Sequence, residues 1–163
     1  IPQFQVKLKR FVNGKPGSLL LVEFAGAELD SLKHKLRELD ELMAAHGFPD
    51  AVVEAIDPGL QKEVWEVRKS GLNIMMSMKG DGKPVSCIED CAVELTDLAE
   101  YTSRLNELFA KYGTTGTWYA HASVGCLHVR PVLNLKQEME AKKLRGITEE
   151  TFAIVREYKG SHS

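Results

Sequence analysis

No apolar run in this sequence approaches the roughly 18 residues that a helical membrane span requires, and no block of like charges interrupts it. The first absence excludes a transmembrane helix. The second leaves a formal net charge of −2, with no electrostatic footprint for nucleic acid or an anionic membrane surface. The start, Ile1-Pro2-Gln3, has no signal-peptide organisation. Cysteine is scarce: Cys87, Cys91 and Cys126 are an odd, sparse set, which argues against a disulfide framework and makes a reducing cytoplasm the default compartment. There is no internal repeat, linker or low-complexity segment.

What is present reads as one ordinary globular domain. A chain of 163 residues with 44% hydrophobic and 27% charged content is long and apolar enough to bury a core. Both ends read as cut, since the chain begins without Met and stops at Ser163 just after a helical pattern. An engineered fragment and a natural processed one fit that equally well.

The hydrophobic pattern predicts short strands over residues 19–24 and 51–56, each an apolar run bounded by turn residues. Leu29, Leu32, Leu36, Leu39, Leu42 and Met43 fall at helical spacing over 30–46, with Gly47 as a stop. Asp57-Pro58 supplies an N-cap and a first-turn proline for a helix to about Ser70. Residues 72–84 read as a loop, residues 85–95 as a third strand, and Thr96 as the cap of a helix closed by Gly113. Two strands follow, near 116–121 and 126–132, joined by Ala122 to Gly125. The remainder, 134–159, reads as helix with a break at Gly146, and residues 3–12 are ambiguous between strand and helix. The 116–132 pair must be antiparallel, because its connection is too short for a crossover. The expected fold is α+β and ferredoxin-like, an antiparallel sheet with helices packed on one face.

Chemistry concentrates in Tyr119-Ala120-His121-Ala122-Ser123-Val124-Gly125-Cys126-Leu127-His128-Val129-Arg130-Pro131. With 122–125 as the turn, His121 pairs with Cys126 and Tyr119 with His128. Side chains alternate along a strand, so His121, Cys126, His128 and Arg130 project from one side of the sheet. His121 and His128 become diagonal neighbours, roughly 7–8 Å apart at the backbone, from which two imidazoles can lean toward one metal ion. Equally, the same two histidines can be hydrogen-bonded polar positions with no metal.

Arg68 lies at the margin of the apolar arc of Leu60, Val64 and Val67, where a guanidinium can reach a cleft and grip a carboxylate. It can also be an ordinary surface arginine with its stem packed on Trp65. Glu89, Asp90 and Glu94 are candidate bases or plain solvated edge carboxylates. Cys87 and Cys91 share a strand face but lack partners at zinc-ligand spacing, and Gly80-Asp81-Gly82 is a turn outside any phosphate-cradle context.

Three of these segments, Val64-Trp65-Glu66-Val67-Arg68-Lys69, Ile88-Glu89-Asp90 and Ala120 through Pro131, together resemble the C-terminal domain of FAD-linked oxidases. That family includes D-lactate dehydrogenases, glycolate oxidase and D-2-hydroxyglutarate dehydrogenase. The likeness runs over residues 18–163 and is strongest to large bacterial members that carry an iron–sulfur domain. It implies a substrate-side cap, truncated at both ends, over FAD held mainly by a separate N-terminal domain of the same polypeptide. It further implies that His121 and His128 bind a divalent metal (zinc, manganese or iron) beside the substrate hydroxyl, and that Arg68 binds the substrate carboxylate. Arg130, on the same sheet face as the histidines, is the second candidate substrate-binding residue. Many members read Gly-Asp-Gly-Asn where this chain has Ser123-Val124-Gly125-Cys126, a departure that bears on which metal is held. A substrate-contacting lysine of some relatives falls on Ile88 and is not carried over.

Relatives continue past a turn like Gly160-Ser161 into a Glu-His-Gly motif that supplies a further metal ligand and a candidate base; this chain ends at Ser163. The resemblance therefore implies a domain of a flavin-dependent dehydrogenase that oxidises a small D-2-hydroxy acid, D-lactate-like or glycolate-like, with hydride transfer to FAD. On this reading no catalytic residue lies within the chain, which is inactive alone. Any iron–sulfur cluster would lie outside it, in a cytoplasmic parent that can associate with the inner face of the membrane. The alternative from another class is a free-standing ferredoxin-like module that binds a ligand or metal without catalysis.

Overall fold

The computed structural model describes residues 6–162 and divides into two compact units, one running to Gly71 and the other starting at Leu72. In the first unit, α1 (Leu29–Ala45) follows the predicted helical spacing. Helix α2 (Pro58–Lys69) opens as its cap residues dictate. The Asp57 side chain accepts a hydrogen bond from the Leu60 N–H at 2.8 Å, and Pro58 sits in the first turn, where its missing N–H has no helical partner to lose. Lys7 pairs with Glu66 at 2.7 Å and Arg10 with Glu63 at 2.5 Å, contacts that tie the ambiguous segment, helical at residues 6–8, to α2. Residues 3–5 lie outside the described residues.

The two strands expected in this unit do not form. Residues 19–24 and 51–56 belong to no sheet, and the apolar side chains of the first run stand exposed, Leu20 at 75%. An apolar run becomes a strand only where a neighbouring backbone saturates its N–H and C=O groups. Among the described residues no such ladder reaches either run, and none of the unit's side chains is fully buried.

The second unit holds the sheet and the core. Helix α3 (Gly71–Met76) occupies part of the segment expected to be loop. Next come β1 (Lys83–Pro84) and β2 (Ile88–Ala92), then a 3-10 turn at Leu95–Asp97 and α4 (Leu98–Lys111). Thr96 lies inside that turn rather than capping α4; Asp97 takes the cap position, with no side-chain cap bond. Strand β3 (Gly116–His121), a short 3-10 turn (Ala122–Val124) and β4 (Cys126–Leu133) form the predicted hairpin. Helix α5 (Glu138–Glu157) completes the order. No helix among the described residues is long and apolar enough to cross a membrane.

The sheet is antiparallel throughout, with β4 at its centre. Strands β1 and β2 pair with one edge of β4, and β3 with the other. Helices α4 and α5 cover one face, so the fold is α+β with helices on one side, as the pattern implies. Strand β4 alternates strictly, burying Leu127, Val129, Pro131 and Leu133 and leaving Cys126, His128, Arg130 and Val132 half-buried. The buried set packs against Tyr101, Leu105, Leu108 and Phe109 of α4 and Ile147 and Val155 of α5. Each fully buried aliphatic side chain stabilises such a core by about 1.5–3 kcal/mol. Helix α5 runs unbroken through Gly146, where a Cβ would lie 2.3 Å from the Tyr112 hydroxyl. That glycine permits close approach of α4's end to α5 rather than breaking the helix, and the Tyr112 hydroxyl donates to Glu150 at 2.7 Å.

Candidate functional site

The face of the sheet away from α4 and α5 carries the polar residues. The hairpin register is the predicted one, His121 opposite Cys126 and Tyr119 opposite His128. It holds because Gly125, at φ 67°, closes the turn in the left-handed region and because a Cβ there would lie 1.9 Å from the Val93 carbonyl oxygen. Alternation then sends Trp118 and Ala120 to the core and Tyr119 and His121 to the polar face. The rings of His121 and His128 stand 5.3 Å apart, centroid to centroid, at 82°. Tyr119 lies beside both, at 6.2 and 5.9 Å.

On the other edge of β4, strand β2 brings two carboxylates to the same place. Ile88 pairs with Val129 and Cys91 with Leu127, so β2 has three residues' advance against two on β4. The extra residue makes a bulge, and Asp90 in it takes φ 53°. Bulges bend the strand and re-aim side chains, and aspartate tolerates the left-handed region better than most residues. As a result Glu89 and Asp90 both reach the His128 ring: Glu89 Oε2 lies 3.0 Å and Asp90 Oδ1 3.3 Å from Nδ1. The Arg130 Nε–H donates to Glu89 Oε1 at 2.7 Å, and the Ser86 hydroxyl donates to the same oxygen at 2.7 Å.

Glu89 is thus a hub between the histidine and the arginine. Partial burial by itself would raise its carboxyl pKa; the hydrogen bonds from Ser86 and Arg130, the Arg130 charge and the contact with His128 outweigh burial and leave it below the ordinary carboxylate value. A carboxylate held ionised by two donors and the Arg130 charge is a poor proton acceptor, so its chemical capacity here is to orient His128 and Arg130. Glu94, the third carboxylate of the motif, is exposed beyond the end of β2.

The cysteines separate by burial. Cys91 is fully enclosed, and burial is the main cause that pushes its thiol up to about 11, which makes it a packing residue. Cys87 is half-buried and also raised, chiefly by burial. Cys126 stands on the polar face, its thiol raised first by burial and then by the charges of Asp90 and Glu89. Asp90, Cys126 and His128 each offer a ligand atom, all within 4.8 Å of one another. Spacing arguments on single strands pass over this cluster, because the bulge that recruits Asp90 leaves no mark in the alternation of β2.

The structure therefore brings His121, His128 and Arg130 together on one face and adds Glu89, Asp90, Cys126 and Tyr119 to them. Arg68 belongs to the other unit, half-buried near the end of α2 with Lys62 and Lys69 exposed around it; burial lowers its pKa from the ordinary arginine value. The donor set suits a divalent cation. Two imidazoles sharing an ion at about 2.0–2.1 Å and a tetrahedral angle have centroids about 5 Å apart, and His121 and His128 stand at that separation. A ligating histidine ordinarily has a carboxylate on its ring, and Glu89 supplies one to His128.

Known protein sequences match nearly the whole chain. The family model described as FAD linked oxidases, C-terminal domain, matches residues 3–163. D-2-hydroxyglutarate dehydrogenase of Pseudomonas putida is 26% identical over 142 residues, covering 86% of this chain and 14% of that protein. The Escherichia coli protein of the same name is 28% identical over 148 residues, covering 87% of this chain and 14% of its own length. The chain thus spans about one-seventh of the length of the curated relatives it matches.

Proposed function

The chain belongs to the family of FAD-linked oxidase C-terminal domains, and from that premise we propose that it forms the substrate side of a flavin-dependent dehydrogenase of D-2-hydroxy acids. The observation that carries the reading is the pairing of His121 and His128 across the β3–β4 hairpin, with Arg130 on the same face. A divalent metal would be held by His121 and His128 and would polarise the substrate hydroxyl as a Lewis acid. FAD, bound mainly by a separate domain of the same polypeptide, would accept the hydride from the substrate α-carbon as the hydroxy acid becomes a 2-oxo acid.

The chain's own residues bind and orient. Arg68 and Arg130 are carboxylate partners. A guanidinium presents a planar fork of donors, which fixes the distance and tilt of a carboxylate through two parallel hydrogen bonds. Arg130 donates its Nε–H to Glu89, which holds the guanidinium plane and would leave the Nη groups to meet a carboxylate. Glu89 similarly holds the His128 ring through Nδ1, so the imidazole is positioned before substrate arrives. The base that takes the hydroxyl proton lies outside the residues of this chain.

Relatives named for D-2-hydroxyglutarate narrow the substrate class. That molecule carries two carboxylates, whereas D-lactate and glycolate carry one. Steady-state turnover of the whole polypeptide against D-2-hydroxyglutarate, D-lactate, glycolate and the L-enantiomers tests the proposal. D-2-hydroxyglutarate is expected to give the highest kcat/KM, and Arg130→Lys to lower it roughly tenfold or more by loss of the bidentate fork. Absence of turnover with every 2-hydroxy acid would overturn the reading.

A further inference from the structure

We propose that Cys126 and Asp90 join His128 as ligands of the site's cation, making it a thiolate-containing centre that takes zinc-like ions in preference to magnesium or calcium. The inference rests on the reading of the His121–His128 pair as a metal site and adds to it the identity of the remaining donors.

Geometry carries it. Cys126 and His128 are alternate residues of β4, so their side chains leave the same face. Across the β2 edge, the bulge at Asp90 turns a carboxylate onto that face. The three ligand atoms lie within 4.8 Å of one another. Donors about 2.0–2.3 Å from a common tetrahedral ion are separated by roughly 3.3–3.8 Å, so the cluster closes around an ion with small side-chain adjustments. His121 opposes Cys126 directly in the hairpin register, while the atoms gathered within 4.8 Å are those of Asp90, Cys126 and His128.

Chemistry selects the ion. A soft sulfur and a borderline imidazole nitrogen beside a single hard carboxylate oxygen form a mixed donor set that suits zinc, cobalt or iron. Magnesium and calcium require oxygen-rich shells that this face does not present. As the Sγ–metal bond forms, the thiol proton leaves to solvent, so the site gains one anionic ligand and the cation is bound by one thiolate and one carboxylate.

Cobalt(II) titration of the full 163-residue chain, followed by absorption, tests this without reference to turnover. The expected result is a sulfur-to-cobalt charge-transfer band in the near ultraviolet with intense visible bands of a tetrahedral ion, saturating at one equivalent. Zinc should displace the cobalt, and millimolar magnesium should not. Cys126→Ser should abolish the charge-transfer band and weaken zinc binding by at least about tenfold, and Asp90→Asn should weaken it in the same direction. Cobalt bound with only the weak spectrum of an octahedral ion, and lost in His128→Ala, would overturn the thiolate assignment while leaving the histidine site standing. A charge-transfer band that persists in Cys126→Ser would place the thiolate at another cysteine and overturn it as well. No binding at all would overturn both. Circular dichroism of each variant, compared with the parent chain, separates loss of a ligand from loss of fold.

Discussion

Glu89 shows how much one side chain can organise. Its two oxygens accept from Ser86 and Arg130 and meet His128 Nδ1 at 3.0 Å, so replacing it removes a shared partner from a ring and a guanidinium at once. Glu89→Gln should destabilise the second unit by about 1–3 kcal/mol, the cost of leaving partly buried charged donors poorly matched. Because the carboxyl is held below its ordinary value of 4.5 when folded, the stability it contributes is present above that value and is lost as pH falls through the folded pKa. Thermal melts of the parent chain and of Glu89→Gln should therefore differ at neutral pH and converge as pH falls below 4.5. Curves separated by a constant gap across that range would show that Glu89 does not titrate against these partners.

Gly125 makes a separate residue-scale prediction. With φ 67° and a Cβ position 1.9 Å from the Val93 carbonyl, Gly125→Ala meets strain and a backbone clash together and should cost more than about 2 kcal/mol in a denaturant melt. At this scale the hairpin was legible in the sequence, because a four-residue turn plus period-two alternation sets the register of His121 and Cys126 without further information. The Asp90 bulge was not legible, since an inserted residue looks the same as any other in a five-residue strand. For that reason Glu89 and Asp90 could be listed as carboxylates but not assigned to His128.

Among the elements, helices with their own cap signals formed where expected, as did the hairpin strands and β2, whereas the two apolar runs of the first unit formed no strand. Helix α2 is announced by Asp57-Pro58, and α4 by the spacing of Tyr101, Leu105, Leu108 and Phe109, all of which are buried. The apolar runs at 19–24 and 51–56 have strand-like composition but no ladder among the described residues, so their composition alone decided nothing. Gly146 read as a break because glycine is a poor helix former, whereas its actual context is the Tyr112 hydroxyl pressed against α5. The core of α4 should behave as a continuous unit with the sheet: Leu105→Ala, at a fully buried position, should cost about 2–5 kcal/mol. A change below about 1 kcal/mol in the same melt would indicate that α4 does not pack on β4 as described.

On the scale of the whole molecule, the chain divides the labour of its family in a physically sensible way. A covered face of the sheet supplies rigidity through α4 and α5, and the opposite face presents imidazole, thiol, carboxylate and guanidinium groups, with His128 and Arg130 held by Glu89. On the proposed reading such a face would hold a cation and a carboxylate, while the redox chemistry would belong to a flavin on another domain. The central claim is that this face acts on the hydroxy acid whose hydride the flavin takes, and anaerobic flavin reduction in the whole polypeptide tests it most directly. On mixing with D-2-hydroxyglutarate, the oxidised flavin absorption should bleach in a single turnover, and His128→Ala should slow the bleaching by at least about a hundredfold while FAD remains bound. Bleaching at the parent rate in His128→Ala, or no bleaching with any D-2-hydroxy acid, would contradict the account.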